Sequence, residues 1–329
     1  MFNTWKPEVF QGRGKKRDYF EGWYFKSIDG NEKIAYSIIP GISLSRDSDK
    51  SHAFIMLLDA RNHKMYYFKY PVSDFWADKS KFEIKIHKNL FSLQKIKLDI
   101  NEPQNEVKAD LEFGNIIPWP VKLLSPGVMG PYAFIPKMEC YHGVLSFDHQ
   151  INGFVEINGD KKDFNGGKGY MEKDWGTSMP SSWIWMQTNH FEEDGISLFG
   201  SIANIPWLRN YFTGYIFGLL YEGNIYRFTK YNGAKINELV VDNDKIHVKI
   251  ENKSYILEIN AKRAEGVDLP APSLGEMTSK VNESLKSRIK LEFYRKSKHK
   301  NELIFSGTGR NAGLEFVGDI KELLSGLKK

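Results

Sequence analysis

The segment Lys245-Ile246-His247-Val248-Lys249-Ile250-Glu251 alternates polar and apolar residues at every position. A period of two places all the apolar side chains on one face of a β-strand, which is typical of a half-buried antiparallel sheet. The same alternation occurs at 81–87, 255–259 and 289–293. Turn sequences that accept positive φ, such as Asn158-Gly159 and Asn232-Gly233, punctuate these segments. Many short strands at this spacing predict an all-β fold of the sandwich or barrel type.

The chain predicts two β units of similar build. An aromatic strand joined by a turn to an apolar strand occurs twice, at 23–38 and at 183–200, which makes a weak internal repeat. At 329 residues the chain is long enough for two ordinary domains. We therefore predict an N-terminal β domain over 1–165 and a C-terminal β domain over 166–329.

Helical signals are scarce and concentrate at the C-terminus. One apolar stripe with helical spacing is formed by Ile320, Leu323, Leu324 and Leu327. Asp319 precedes this stripe in the position of an N-cap, so the pattern predicts a short C-terminal helix. A weaker pattern predicts a second helix around 277–285.

Composition limits the classes of function. The hydrophobic share of 41% and the charged share of 26% are typical of a soluble globular protein, whereas the aromatic share of 14% is high and favours strands and apolar pockets. A net charge of +5 is modest, and the sequence contains neither a phosphate loop nor a dinucleotide fingerprint, so we expect no nucleic-acid partner and no such cofactor. The single cysteine, Cys140, excludes an internal disulfide. We expect a cytoplasmic location, with peripheral membrane contact left open, and a long Pro-rich excursion at 118–131.

Two carboxylates follow one another along the segment 169–176. On a strand, Tyr170, Glu172 and Asp174 share one side, and Met171, Lys173 and Trp175 take the other. Two carboxylates on one side repel, so one of them is expected to keep its proton, as a general acid must. The alternative is that both carboxylates bind backbone amides or Lys173 at a strand end.

A third carboxylate, Glu21, lies among rings in the segment 19–26. Glu21, Trp23 and Phe25 would share one strand face, where a glutamate is costly unless it is paired or protonated. The alternative is a structural ion pair with a nearby Lys or Arg. His142, two residues from Cys140, is a further acid–base candidate, but the other histidines are scattered, so no metal site is predicted.

A further alternating face suits a pocket with a polar tip, because it combines indoles with amides. It consists of Trp183, Trp185, Gln187 and Asn189. The alternative for these side chains is ordinary core packing.

At these residues the chain resembles the tocopherol cyclase family. The segments that carry the resemblance are 19–26, 153–156, 170–176 and 180–189, with weaker similarity at 272–277 and 313–316. The resemblance implies two lipocalin-like β domains, as in the related carotenoid hydratases. It also implies protonation of a prenyl double bond and capture of the cation by a phenol or by water, without a redox cofactor.

We therefore predict a cyclase or hydratase acting on an apolar small molecule such as a prenyl quinol or isoprenoid. Asp174 or Glu172 would donate the proton while the other tunes its pKa, with Glu21 and His142 as further catalytic candidates. The predicted substrate-binding residues are Trp23, Tyr24, Tyr170, Trp175, Trp183, Trp185, Gln187 and Asn189. The competing prediction is a non-catalytic carrier of hydrophobic ligands in the same pockets. The sequence leaves a monomer and a homodimer open.

Overall fold

A computed structural model describes residues 3–207 and 210–327, and nearly all of its regular structure is antiparallel β. The first sheet contains strands β1 Tyr19–Ile28, β2 Ala35–Leu44, β3 His52–Asp59, β4 Lys64–Tyr70, β5 Phe75–Ala77, β6 Glu83–Ile86, β7 Asn89–Ser92, β8 Lys95–Glu102, β9 Asn105–Gly114, β10 Cys140–Ile157, β11 Asp160–Asp163 and β12 Gly167–Gly176. The second contains β13 Ser182–Thr188, β14 Ser197–Trp207, β15 Asn210–Tyr221, β16 Asn224–Thr229, β17 Lys235–Asp242, β18 Lys245–Glu251, β19 Tyr255–Lys262, β20 Val267–Ser273, β21 Glu276–Arg295 and β22 Glu302–Val317. Short 3₁₀ turns occur at Ser48–Lys50, Val72–Asp74, Gly130–Phe134 and Lys230–Asn232.

The predicted repeat is visible in the strand order. The first sheet runs β4-β3-β2-β1-β12-β10-β9-β8-β7-β6-β5, and the second runs β16-β15-β14-β13-β22-β21-β19-β18-β17. Each sheet therefore starts with four consecutive antiparallel strands, and the first of the four pairs with a later strand of the chain. The alternating segment 245–251 forms β18, whose apolar positions are buried.

The first sheet curls around its own core. Trp23 on β1 stacks on Phe82, just before β6, with 5.4 Å between ring centroids, although β1 and β6 are far apart in the strand order. Phe25 and Met171 belong to the same buried cluster. We call this side of the sheet the core face. A second cluster, which includes Phe217, Val248 and Leu291, fills the other unit.

The division between units differs from the predicted boundary at residue 165. The first unit comprises the chain up to Met179 together with Leu269–Lys280, and the second comprises Pro180–Asp268 with the chain from Val281 onwards. The shift has a structural reason, because β12 hydrogen-bonds between β1 and β10 and so completes the first sheet.

The C-terminal helix α1, Ile320–Leu327, is present, and Asp319 caps it by accepting from the amide nitrogens of Lys321 and Glu322 at 2.8 and 3.2 Å. The second predicted helix, around 277–285, is wrong. Those residues belong to β21, since pairing within a sheet overrides a weak helical pattern. Among the described residues, no helix has the length and apolar character needed to cross a bilayer.

Candidate active site

Strand β12 presents two chemically different faces. It lies between β1 and β10, with Glu172 opposite Tyr24 on one neighbour and Asp174 opposite His142 on the other. As predicted, Tyr170, Glu172 and Asp174 share one face, which we call the site face. The core face carries the residues between them.

On the site face, four side chains form a series that is joined by two hydrogen bonds and one longer contact between opposite charges. The Tyr170 hydroxyl donates to Glu172 Oε2 at 2.6 Å. The ring of His142 lies between the two carboxylates, with Nδ1 2.8 Å from Asp174 Oδ1 and Nε2 3.6 Å from Glu172 Oε2. The expected repulsion between the carboxylates is thus relieved by a cation between them.

The electrostatics of the series favour a charged imidazole. Burial disfavours the imidazolium of His142, but attraction from Asp174 and Glu172 and the hydrogen bond with Asp174 outweigh it and raise the pKa of His142 to about 9. Burial and the adjacent Glu172 carboxylate raise the pKa of Tyr170 well above its usual value. At neutral pH the phenol therefore donates, and His142 holds a proton within reach of Asp174.

Exposure increases along the series. Tyr170 is completely buried, and the side chains of Glu172, His142 and Asp174 are 8%, 15% and 24% exposed. Cys140, beside Asp174, is buried, and burial with the nearby carboxylate raises the pKa of its thiol, so it is a poor nucleophile. The series is therefore most accessible at Asp174.

On the core face, Glu21 forms the ion pair that the sequence left as an alternative. Lys173 Nζ lies 2.6 Å from Glu21 Oε1, and both side chains are fully buried. Glu21 also accepts hydrogen bonds from the backbone amides of Gln11 and Gly12 and from the Tyr19 hydroxyl. The arrangement is that of a structural ion pair with saturated acceptors.

Lys173 is equally well satisfied. It donates to the carbonyl oxygens of Pro7 and Val9 at 2.8 and 2.7 Å, and its ammonium lies 4.8 and 4.7 Å from the ring centroids of Trp23 and Trp175. These two predicted substrate-binding indoles thus enclose a buried lysine. These contacts also hold the segment before β1 against the sheet. That segment supplies the backbone carbonyl groups that bind Lys173 and the backbone amides that bind Glu21.

The remaining predicted binding residues lie in the second unit. Trp183, Trp185 and Gln187 are buried on β13, and Asn189 is buried just beyond its end. Trp183 Nε1 donates to Glu315 at 2.7 Å. Their role in binding a substrate stays a prediction.

Two features of the site were beyond the sequence. The placement of His142 opposite Asp174 depends on the register of β10 against β12, which shifts at two points beyond Val144. The identity of Lys173 as the partner of Glu21 depends on the pairing of Trp23 with Lys173 in the register of β1 against β12. The sequence does indicate that Lys173 lies on the opposite face from Glu172 and Asp174, and this was the available evidence that it pairs with another carboxylate.

The site-face residues are also the part of the described chain that could hold a metal ion. One ligand atom each from His142, Glu172 and Asp174 lies within 4.8 Å of the others. Here these atoms pair with one another through the contacts given above. The prediction that the protein uses no metal stays a prediction.

Fold and site together define a class: an all-β protein of two antiparallel units with an acid–imidazole series on two neighbouring strands. The sequence profile of the tocopherol cyclase-like family matches residues 100–318, so the chain belongs to that family. It is 28% identical over 199 residues to the probable chloroplastic tocopherol cyclase of Oryza sativa subsp. japonica, which covers 57% of this chain and 42% of that protein. With the chloroplastic tocopherol cyclase of Zea mays, identity is 26% over 206 residues, covering 60% and 43%. The chain spans less than half the length of these relatives.

The crystal structure of CghA is similar to this chain with a TM-score of 0.59 at 10% identity, covering 97% of this chain and 93% of CghA. Similarity at this level of identity concerns the fold alone. The predicted fold, two lipocalin-like antiparallel units with a short C-terminal helix, is confirmed.

Proposed function

We propose that the protein protonates a carbon–carbon double bond of an apolar, prenylated small molecule and that Asp174 delivers the proton. The observation that carries the proposal is the 2.8 Å contact between His142 Nδ1 and Asp174 Oδ1 at the most exposed end of the series. Membership of the tocopherol cyclase-like family supports the reaction class.

The proposed step begins with the imidazolium. His142 passes the Nδ1 proton to Asp174, and the carboxylic acid gives it to the less substituted alkene carbon, which leaves a tertiary carbocation. The regenerated carboxylate and the neighbouring Glu172 stabilise this positive charge at close range. A phenol oxygen of the substrate or a water molecule then bonds to the cation and releases its own proton, which restores His142.

Each residue has a separate task in this scheme. Asp174 touches the substrate, His142 stores the proton, and Glu172 holds the ring from the other side. Tyr170 fixes Glu172 through its 2.6 Å hydrogen bond, so Tyr170 is a positioning residue. No external oxidant or reductant is needed, since the alkene gains a proton and the nucleophile loses one.

The test compares Asp174→Asn with Asp110→Asn, which alters a surface carboxylate paired with Lys95. With a prenyl quinol as substrate in D₂O, the wild type should give a product with one deuterium on the former alkene carbon. After back-exchange of the hydroxyl groups into H₂O, a product heavier than the substrate only by this deuterium indicates ring closure, and a product heavier by a further water indicates hydration. Asp174→Asn should lower turnover by about 10²- to 10⁴-fold, the usual contribution of general acid catalysis, while Asp110→Asn should match the wild type.

Undiminished turnover by Asp174→Asn would remove Asp174 from the mechanism. Tight binding of the prenyl quinol with no turnover by the wild type would instead favour the carrier. A pH profile adds an independent check, because turnover should fall as the pH rises through the His142 pKa of about 9. Dialysis against EDTA should leave turnover unchanged.

A further inference from the structure

An apolar hairpin tip projects from the long loop between β9 and β10. Lys122 and Ser125 exchange two backbone hydrogen bonds of 3.0 Å each, which closes a two-residue turn. The turn residues are Leu123 and Leu124, and each is 76% exposed. Tight turns ordinarily carry Gly, Asn, Asp or Ser, so two exposed leucines there are not explained by turn geometry.

Further apolar side chains adjoin the turn. Trp5 Nε1 donates to the Leu123 carbonyl oxygen at 3.0 Å, and the Trp5 ring meets Phe134 edge-on at 5.6 Å between centroids. Both rings stay about half exposed, at 47% and 46%, and Val121 is 46% exposed. We call Trp5, Val121, Leu123, Leu124 and Phe134 the apolar tip. A contiguous exposed group of this kind marks an interaction site.

Hydrogen bonds hold the end of the loop that carries the tip, close in sequence to the candidate active site. The Tyr141 hydroxyl donates to the Ile135 carbonyl oxygen at 2.7 Å and accepts from the Met138 amide at 3.3 Å, which fixes the end of the loop. The Tyr141 ring stacks on Trp175 with 5.7 Å between centroids. The next residue on β10 is His142, so the loop that carries the tip leads directly into a strand of the acid–imidazole series.

The charge on the loop that carries the tip is of one sign. From Asn115 to Met138 the sequence contains Lys122 and Lys137 and no Asp or Glu. Both lysines are exposed. The loop thus combines exposed leucines at its turn with a nearby indole and exposed lysines. Proteins that enter the headgroup region of a bilayer have this combination of residues.

We propose that the apolar tip inserts into a lipid bilayer whose surface carries anionic headgroups. A protein partner is the weaker occupant, because a stable protein interface takes about 20–30 residues a side and the tip offers five. A bilayer accepts a small convex apolar point and adds attraction to each flanking lysine. If the proposed function holds, docking would also bring Asp174 to the phase in which prenyl lipids dissolve, but docking itself requires no catalysis.

The test is sedimentation of the full chain with phosphatidylcholine vesicles, with and without phosphatidylglycerol, and with no substrate present. The main variant is Leu123→Asn with Leu124→Gly, since Asn and Gly are common in tight turns and both replace an apolar side chain. The matched control is Leu303→Asn, which alters a leucine of the second unit that is 52% exposed. Removing two inserted leucines should lower vesicle partitioning at least about tenfold, and the control should partition as the wild type does.

A second pair of substitutions tests the contribution of the lysines to binding of anionic lipid. Lys122→Ala with Lys137→Ala should lower binding to the phosphatidylglycerol vesicles and leave the weak binding to pure phosphatidylcholine unchanged. Thermal unfolding of each variant should match the wild type, since all the altered side chains are exposed. Should the Asn-Gly variant unfold early, Leu124→Ser alone serves as the second variant and should show a smaller loss in the same direction.

Three results would overturn the proposal: wild-type protein that binds neither kind of vesicle, an Asn-Gly variant that binds as well as the wild type, or a change from dimer to monomer in the Asn-Gly variant with unchanged vesicle binding. The last result would identify a second copy of this chain as the occupant. Because the assay contains no substrate, its failure leaves the proposed function standing, and loss of turnover by Asp174→Asn leaves the docking proposal standing.

Discussion

The clusters on the two faces of β12 contain similar residues, and we propose a different role for each. In each, a tyrosine donates to a glutamate two positions later in its own strand: Tyr19 to Glu21 on the core face, and Tyr170 to Glu172 on the site face. A nitrogen base completes each cluster. Similar residue types in similar patterns therefore do not by themselves distinguish a structural cluster from a reactive one.

The difference lies in saturation and access. Lys173 is fully buried and spends its donors on Glu21 and on the carbonyl oxygens of Pro7 and Val9. His142 lies between carboxylates that are partly exposed, and its pKa of about 9 keeps it protonated at neutral pH with the proton in contact with Asp174. A charge that cannot reach solvent or substrate holds the fold together, whereas one at an opening can exchange protons.

The largest expected effect comes from breaking the core-face pair. Lys173→Met leaves Glu21 as an uncompensated buried carboxylate, so the free energy of unfolding should fall by about 3–5 kcal/mol. Chemical denaturation measures this value. The matched control is Lys95→Met, which breaks a surface pair with Asp110 whose side chains are 33% and 38% exposed, and it should cost no more than about 1 kcal/mol.

Adding Glu21→Gln to Lys173→Met removes the orphaned charge and should recover part of the loss. Native stability in Lys173→Met combined with a collapse of turnover would reverse the assignment, because it would place the core-face pair in the chemistry.

The next effect is a pH dependence of stability that belongs to the site face. The folded pKa of His142, about 9, is above the ordinary value of 6.5, so the stabilisation is fully present below pH 6.5 and is lost as the pH rises through 9. A shift of this size corresponds to about 3 kcal/mol. The measurement is the free energy of unfolding of the wild type minus that of His142→Gln, across pH 6 to about 9.5.

The pKa values of His52 and His149 are lowered by burial, that of His149 to about 3, so these rings contribute their own pH dependence below this window. Equal slopes for wild type and His142→Gln would mean that His142 is not held as an imidazolium.

The sequence predicts which residues of the site share a face of β12, but it does not predict which residues of the neighbouring strands they contact. A period of two along 169–176 is enough to separate Tyr170, Glu172 and Asp174 from Lys173, because strand geometry fixes which side each residue takes. The partner across the strand boundary depends on register. His142 meets Asp174 only because β10 contains irregularities further along its length, and local periodicity holds no record of these.

The fold likewise depends partly on local sequence patterns and partly on long-range strand pairing. The two β units and the capped helix at Ile320–Leu327 follow from local patterns. The unit boundary does not, because β12 is placed by long-range pairing with β1 and β10. The prediction of a helix at 277–285 was wrong for the same reason. Strand pairing stabilises this segment more than its weak helical pattern does.

The smallest and sharpest test removes one hydroxyl from each face. Tyr19→Phe leaves Glu21 with Lys173 and two backbone amides, so it should cost about 1.5–3 kcal/mol of stability at most and leave turnover unchanged. Tyr170→Phe removes a hydrogen-bond donor to Glu172, so it should cost a similar amount of stability and also lower turnover several-fold. Because Glu172 contributes to the raised pKa of His142, the pH at which activity falls should also shift. Denaturation and a pH profile of kcat on both variants give the comparison. Equal turnover in the two variants would show that the tyrosine of the site face does no more than its counterpart in the core, and the division of the two faces into structure and chemistry would then rest on Asp174 and His142 alone.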